Sequence, residues 1–230
     1  ASSTTYPLNV HGELVNGIYF WSIIFANGGV TNGPKDDYMF ARAVRVLVNG
    51  VALADKRFWP FYEVANEKGA VLHIHPTNPT DVSQMTDFWL MPLVGFLFDT
   101  TLAAAHLVFS GVAERFPRIQ WVVGHLGGGI PILAERLDRG YRAFKECRAN
   151  IPRPPSEYLR TWYYDTVNFD RDALKLGIAF AGADHLMAAS DYPHAIGSIP
   201  LMKESIGGLD ISEEDRAKRF GGNAARVYGL

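Results

Sequence analysis

Apolar residues in this chain gather in short runs that end on polar side chains, and stretches of helical spacing separate the runs. Val71-Leu72-His73-Ile74-His75 leads into Pro76. Residues 119–124 lead into His125 and the glycines Gly127, Gly128 and Gly129, and Leu186-Met187-Ala188-Ala189 leads into Ser190-Asp191-Tyr192-Pro193-His194. Runs of this kind, alternating with helical segments, predict βα units around a parallel sheet. Residues 44–48 read as a strand closed by Asn49-Gly50, and a helix over about 60–68, stopped by Gly69, feeds the strand ending at His75. The segment 81–98 is aromatic and irregular, placed to act as a lid or a dimer contact, and either role would bury Phe88, Trp89, Phe96 and Phe98.

Further along, 100–116 reads as a helix ended by Pro117, and 131–147 as a helix with Leu133, Leu137, Tyr141 and Phe144 on one face. A strand at 161–166, a helix at 171–181 and a last strand at 186–190 follow, and Ser212 has the setting of a helix N-cap. Residues 8–11 and 18–25 could add two strands near the start, for seven in all. The expected fold class is α/β, a TIM-type (β/α)8 barrel forming one domain over residues 1–230. Such barrels usually take ~250 residues, with ~200 as the low end. This one should be compact or incomplete at its N-terminal units, and residues 1–40 fit the pattern least.

With 230 residues, 48% hydrophobic and a net charge of -2, the chain can bury a full core but carries no electrostatic footprint for nucleic acid or an anionic membrane. A small-molecule partner is the expectation. The apolar stretch from Phe88 to Phe98, flanked by Asp87 and Asp99, is too short to span a bilayer, and the first residues lack the build of a signal peptide. Cys147 is the single cysteine, which rules out an intrachain disulfide or a thiolate-rich zinc site and points to a reducing, cytoplasmic setting.

In a parallel barrel the carboxyl ends of the strands share one face, where chemistry is built. His75, His125 and Asp191 are therefore expected to converge. His75 reads as a metal ligand or as a half-buried strand histidine; His73, two residues earlier on the same face, could complete a His-x-His metal motif or be a core residue one layer deeper. His125, beside glycines that leave room for a ligand, can take or donate a proton, or is a loop histidine. Asp191 suits a metal ligand, a carboxylate that handles a proton, or a turn residue; His194 could orient it or be a surface histidine. His11 and Glu13, two apart at a strand end, could face the same ion. His106 and His185 read as structural, while Arg45, Arg57 and Arg160 could grip a substrate carboxylate or be solvated.

Taken together, five motifs resemble the amidohydrolase superfamily, in particular its decarboxylase branch typified by amino-carboxymuconate-semialdehyde, γ-resorcylate and carboxyvanillate decarboxylases. They are residues 49–60 leading to His75-Pro76, Phe116-Pro117-Arg118 leading to His125 and its glycines, Glu135-Arg136-Leu137-Asp138-Arg139, residues 189–194, and the ending Gly222-Asn223-Ala224-Ala225-Arg226. The resemblance spans about 44–230. It implies a barrel with one divalent metal, usually zinc and in some members manganese, with His75 and Asp191 as ligands and His125 beside the metal-bound water. Asn9-Val10-His11-Gly12-Glu13-Leu14 looks like the family's first-strand His-x-His with Glu13 in place of the second histidine, and its interval to His75 is shorter than the family's. Binuclear relatives carry a bridging lysine on a middle strand; residues 44–49 offer none, so the expectation is mononuclear.

The function expected is non-oxidative decarboxylation of an aromatic or unsaturated carboxylic acid, with Phe88, Trp89 and Phe98 as an apolar wall. Hydrolysis of a lactone, ester or amide by the same residues is the enzymatic alternative. A catalytically weakened barrel serving as a scaffold is the non-enzymatic one. A homodimer through 81–98 is a further expectation.

Overall fold

The structure, a computed structural model, describes residues 40–43, 47–48, 51–76, 79 and 81–229. Seven strands are described: β1 (Phe40–Ala43), β2 (Leu47–Val48), β3 (Val51–Ala52), β4 (Val71–Ile74), β5 (Gln120–Val123), β6 (Tyr163–Asp165) and β7 (Leu186–Met187). Nine α-helices accompany them: α1 (Trp59–Lys68), α2 (Phe96–Phe109), α3 (Val112–Arg115), α4 (Ile130–Ala143), α5 (Pro155–Leu159), α6 (Arg171–Ala181), α7 (Ile199–Gly207), α8 (Glu213–Ala217) and α9 (Asn223–Tyr228). Strands β1, β4, β5, β6 and β7 form one all-parallel sheet in that order, while β2 and β3 make a separate antiparallel pair. Neighbours in space are thus neighbours in sequence. With right-handed crossovers this order puts every connecting helix on the same side, as in a (β/α) barrel rather than a doubly wound sheet.

The two sheet faces follow from strand alternation. Leu72, Ile74, Trp121, Val123 and Tyr164 face the helices and belong to the main core with Ala104, Leu107 and Val108 of α2. Val71, Val122 and Met187 face the other way and pack on Val227 of α9, with Tyr163 and Tyr228 at the edge of that cluster. The inner face is therefore closed off at the amino end of the strands by the last helix. That helix also covers the side of β7 away from β6. The turn Lys218–Gly222 is wound as a π-helix, in which Asn223 N–H bonds to Lys218 O. The carbonyl of Arg219 is thereby freed to accept from Ala188 N–H, and the Asn223 amide donates to Ala183 O and Leu186 O.

Helix ends mostly obey local chemistry. Gly69 stops α1 in the left-handed region, Asp170 caps α6 by accepting from Ala173 N–H, and Ser212 caps α8 by accepting from Asp215 N–H. Several expectations need correction. The strand that pairs with β4 is Phe40–Ala43, and Leu47–Val48 belongs to a hairpin with Val51–Ala52, as an Asn-Gly pair between two short apolar runs favours. The helix placed at 100–116 starts earlier and breaks at Gly111, whose positive φ separates α2 from α3. Its start merges with a π-turn at Met91–Gly95, so that Met91–Phe109 is a continuous apolar helix of 19 residues. That is long enough to cross a membrane, unlike the interval from Phe88 to Phe98, but Ala103, Ala104, Leu107 and Val108 are at most 2% exposed in the core. Helix α4 ends at Ala143, leaving Phe144 exposed, and the last strand is only two residues long. The strands expected at 8–11 and 18–25 lie outside the described residues.

Candidate metal centre

His75 is the first residue after β4 and shares the inner face with His73, whose ring meets it edge-on at 5.9 Å between centroids. Its Nδ1 lies 2.9 Å from Pro76 O. A carbonyl only accepts, so Nδ1 carries the hydrogen and Nε2 keeps its lone pair for a ligand.

His125 opens the turn after β5. From His125 through Gly128 every residue has φ between 54° and 77°, a conformation that costs non-glycine residues about 1–3 kcal/mol each. The glycines are what permit the turn. A Cβ on Gly128 would run into Leu97 O and Thr101 Oγ1, and one on Gly127 would sit 2.7 Å from the Tyr164 ring. Gly129 N–H then donates to Thr101 Oγ1 at 2.9 Å, fastening the turn to α2. The result places the His125 ring 5.0 Å from that of His75.

Asp191 follows β7 and also has a positive φ, 54°. Its backbone carbonyl accepts from His194 N–H, and Ser198 N–H closes the loop on Ser190 O. The Asp191 carboxylate is 12% exposed, with Oδ1 4.0 Å from His125 Nε2. One ligand atom from each of His75, His125 and Asp191 lies within 4.8 Å of the others. Three strand ends thus meet as the sequence predicts. The cluster of two imidazoles and a carboxylate suits a divalent ion. His125 Nε2 is the ring nitrogen nearest Asp191, and Nδ1 is buried without a hydrogen-bond partner among the described residues.

The other predicted residues distribute differently. His11, Glu13 and Arg45 fall outside the described residues. Arg57 is paired with Asp55 through two bonds of 3.0 Å, and Arg160 donates to Ala179 O and Phe180 O, so both are engaged away from the cluster. His194 and His106 are exposed. His185 stacks on Tyr163 at the amino end of the sheet, where burial lowers its pKa. Phe88, Trp89 and Phe98 are 84%, 78% and 63% exposed. Their burial, expected from a lid or contact, is not seen within the single chain. Phe88 and Trp89 line a shallow cavity of about 330 Å³ with Val82, Met85 and Met91, a cavity whose lining does not include His75, His125 or Asp191.

One residue escaped the sequence reading. Asp165 ends β6 between the other two strands, is 8% exposed, and accepts through Oδ1 from Leu126 N–H at 2.9 Å and Val167 N–H at 3.0 Å. The signal that singles out Asp191, a carboxylate closing an apolar strand, was there for Asp165 as well.

Comparison with known proteins agrees with this geometry. The amidohydrolase model Amidohydro_2 matches residues 37–230. The chain belongs to the amidohydrolase family. It is 32% identical over 186 residues to a 2-amino-3-carboxymuconate-6-semialdehyde decarboxylase from Dictyostelium discoideum, covering 80% of this chain and 51% of the relative. A 6-methylsalicylic acid decarboxylase from Penicillium expansum is 30% identical over 179 residues, covering 76% of this chain and 55% of the relative. Among solved structures, 5-carboxyvanillate decarboxylase from Sphingomonas paucimobilis superposes with a TM-score of 0.75 at 27% identity, covering 84% of this chain and 58% of that one. A dihydroxybenzoic acid decarboxylase from Polaromonas sp., with bound manganese and the inhibitor 2-nitroresorcinol, gives 0.71 at 27% identity, covering 78% and 56%. The chain spans about half the length of the curated relatives it matches.

Proposed function

We propose that this chain forms the catalytic part of a metal-dependent, non-oxidative decarboxylase of an aromatic or unsaturated carboxylic acid. The observation that carries the reading is the meeting of His75, His125 and Asp191 within 4.8 Å at the ends of three parallel strands. Family membership and the decarboxylases among its relatives support the choice of reaction.

His75, through Nε2, and Asp191 would hold the ion, and His11 and Glu13 would supply further ligands. A divalent ion at this place offers positive charge that stabilises the anion developing on the substrate. Zinc suits the donor set, and the manganese bound by the Polaromonas relative makes that ion the alternative. His125 lies close enough to Asp191 to act on the same substrate. As the bond from the ring or chain carbon to the carboxylate breaks, CO2 leaves and the electron pair stays on that carbon. Protonated His125 then delivers its proton there. Phe88, Trp89 and Phe98 would form an apolar wall that favours conversion of a charged carboxylate into neutral CO2. Their exposure in the single chain fits a homodimer in which a second copy covers them. A single cysteine fits a reducing, cytoplasmic setting.

The test is elemental analysis of the purified chain together with CO2 release from a panel of hydroxybenzoates and unsaturated dicarboxylates. About one zinc or manganese per chain is expected, with metal and activity both lost in Asp191→Ala and His11→Ala. Acid release from lactones or esters without CO2 would replace the decarboxylase by a hydrolase. A metal-free protein indifferent to chelator would overturn both.

A further inference from the structure

We infer that the strand end Asp165-Thr166 is the positioning element of this site, holding the His125 turn on one side and the approach to Asp191 on the other. The inference rests on the metal-site reading above and assigns roles to residues outside the metal cluster itself. Strand β6 lies between β5 and β7 in the sheet. Asp165 is in register with Met187, on the inner face of the sheet, and its carboxylate lies against Gly124, next to which His75 also sits. A Cβ built on Gly124 would meet His75 Cδ2 at 3.5 Å and Asp165 Oδ2 at 3.6 Å.

Asp165 Oδ1 does two things at once. It accepts from Leu126 N–H, the amide directly after His125, and from Val167 N–H in its own following turn. Leu126 is one of two consecutive non-glycine residues with positive φ, so its amide sits on a backbone that local preference alone would release. Charge-assisted bonds from a buried carboxylate are among the stronger ones available, and they act where the backbone is least favoured. Thr166 is fully buried and works to the other side: its Oγ1 accepts from Ala189 N–H at 3.1 Å. Strand β7 has only two residues, and Ala189 lies beyond them, two positions before Asp191. The segment that delivers Asp191 is thus fastened by a side chain where ladder pairing has ended. Two adjacent residues, the last of β6 and the one that follows it, therefore set the separation between His125 and Asp191. Both are positioning residues, since neither lies in the metal cluster.

Amide hydrogen exchange in the metal-free 230-residue chain and Co2+ binding followed by visible absorption test this, on Asp165→Ala, Asp165→Asn, Thr166→Val and Thr166→Ser. Asn223→Ala, at the opposite end of the sheet, serves as a control for general destabilisation. Slow exchange at Leu126, Val167 and Ala189 is expected in the wild type. Asp165→Ala should release Leu126 and Val167 while leaving Ala189 protected, and Thr166→Val should release Ala189 alone. Co2+ affinity should fall roughly 10–100-fold in both, with an altered spectrum, because groups that orient ligands commonly carry that much. Asp165→Asn and Thr166→Ser keep the accepting oxygen and should restore affinity and spectrum. Unchanged exchange at Leu126 and Ala189 across the variants would overturn the inference. So would a Co2+ affinity that merely follows melting temperature, Asn223→Ala included. The expected exchange pattern in a wild type that takes up no Co2+ would support the hold on both loops and overturn the metal reading instead.

Discussion

At the carboxyl end of the sheet the backbone departs from its favoured regions at His125, Leu126 and Asp191, and the side chains of His125 and Asp191 are polar and only partly buried. At the amino end, helix α9 packs Val227 on Val71, Val122 and Met187, and Asn223, wholly buried, donates to the carbonyls of Leu186 in β7 and Ala183 in the turn before it. One end holds strained turns around polar side chains, and the other supplies apolar contact and the hydrogen bonds of the Asn223 amide. The strain at the first is sustainable because the second fixes the same strands. Substitutions at the two ends should accordingly separate chemistry from stability.

The largest separation is expected from Asp191→Ala, which should cut turnover by roughly 10²–10⁴-fold while shifting the melting temperature little, as shown by steady-state CO2 release beside calorimetry. A melting temperature that falls along with turnover would mean that Asp191 belongs to the scaffold. Gly128→Ala should be damaging in both respects. Its φ of +59° and the backbone carbonyl of Leu97 leave no room for a methyl group, at a cost of about 2–3 kcal/mol in urea unfolding, and the turn would carry His125 out of place. Asn223→Ala should behave in the opposite way to Asp191→Ala. Removing donors to two buried carbonyls costs about 1–3 kcal/mol, with metal content unaltered.

The smallest effect concerns acid. Glu114 accepts from Tyr158 and Arg153, and these bonds hold its carboxyl below the usual range. A carboxylate with a depressed folded pKa stabilises above its unfolded value, and that contribution disappears as pH falls through the folded one. The melting-temperature difference between wild type and Glu114→Gln should therefore be present at neutral pH, begin to shrink as pH falls below about 4.3, the unfolded value, and vanish only once pH lies below the depressed folded value. A difference that persists at lower pH would exclude ionisation as its source.

Much of the metal cluster was legible because each member ends an apolar run, and the barrel rule brings such ends together. The rule identifies positions without ranking them. Asp165 obeys it as well as Asp191 does, yet lies within a run whose neighbours, Tyr163 and Tyr164, read as ordinary strand. The helix over Met91–Phe109 was missed at its start because Pro92, Gly95 and the surrounding aromatics signal irregular chain. The π-turn absorbs both breakers while tertiary packing of Ala103, Ala104 and Leu107 holds the rest. Phe88 and Trp89 were expected to be buried because a lid or a dimer contact would cover them, and their position at the surface of a single chain depends on what lies against it rather than on their own sequence.

The wide turn at Lys218–Gly222 also bears on how the chain behaves in company. A strand end with free amide and carbonyl groups is a template on which another chain can pair, and β7 would present one if its outer side were bare. By turning the Arg219 carbonyl and the Asn223 amide toward that side, the last helix works as a guard against edge-to-edge association. A chain cut just before Lys218 should accordingly fail in solubility as well as in packing.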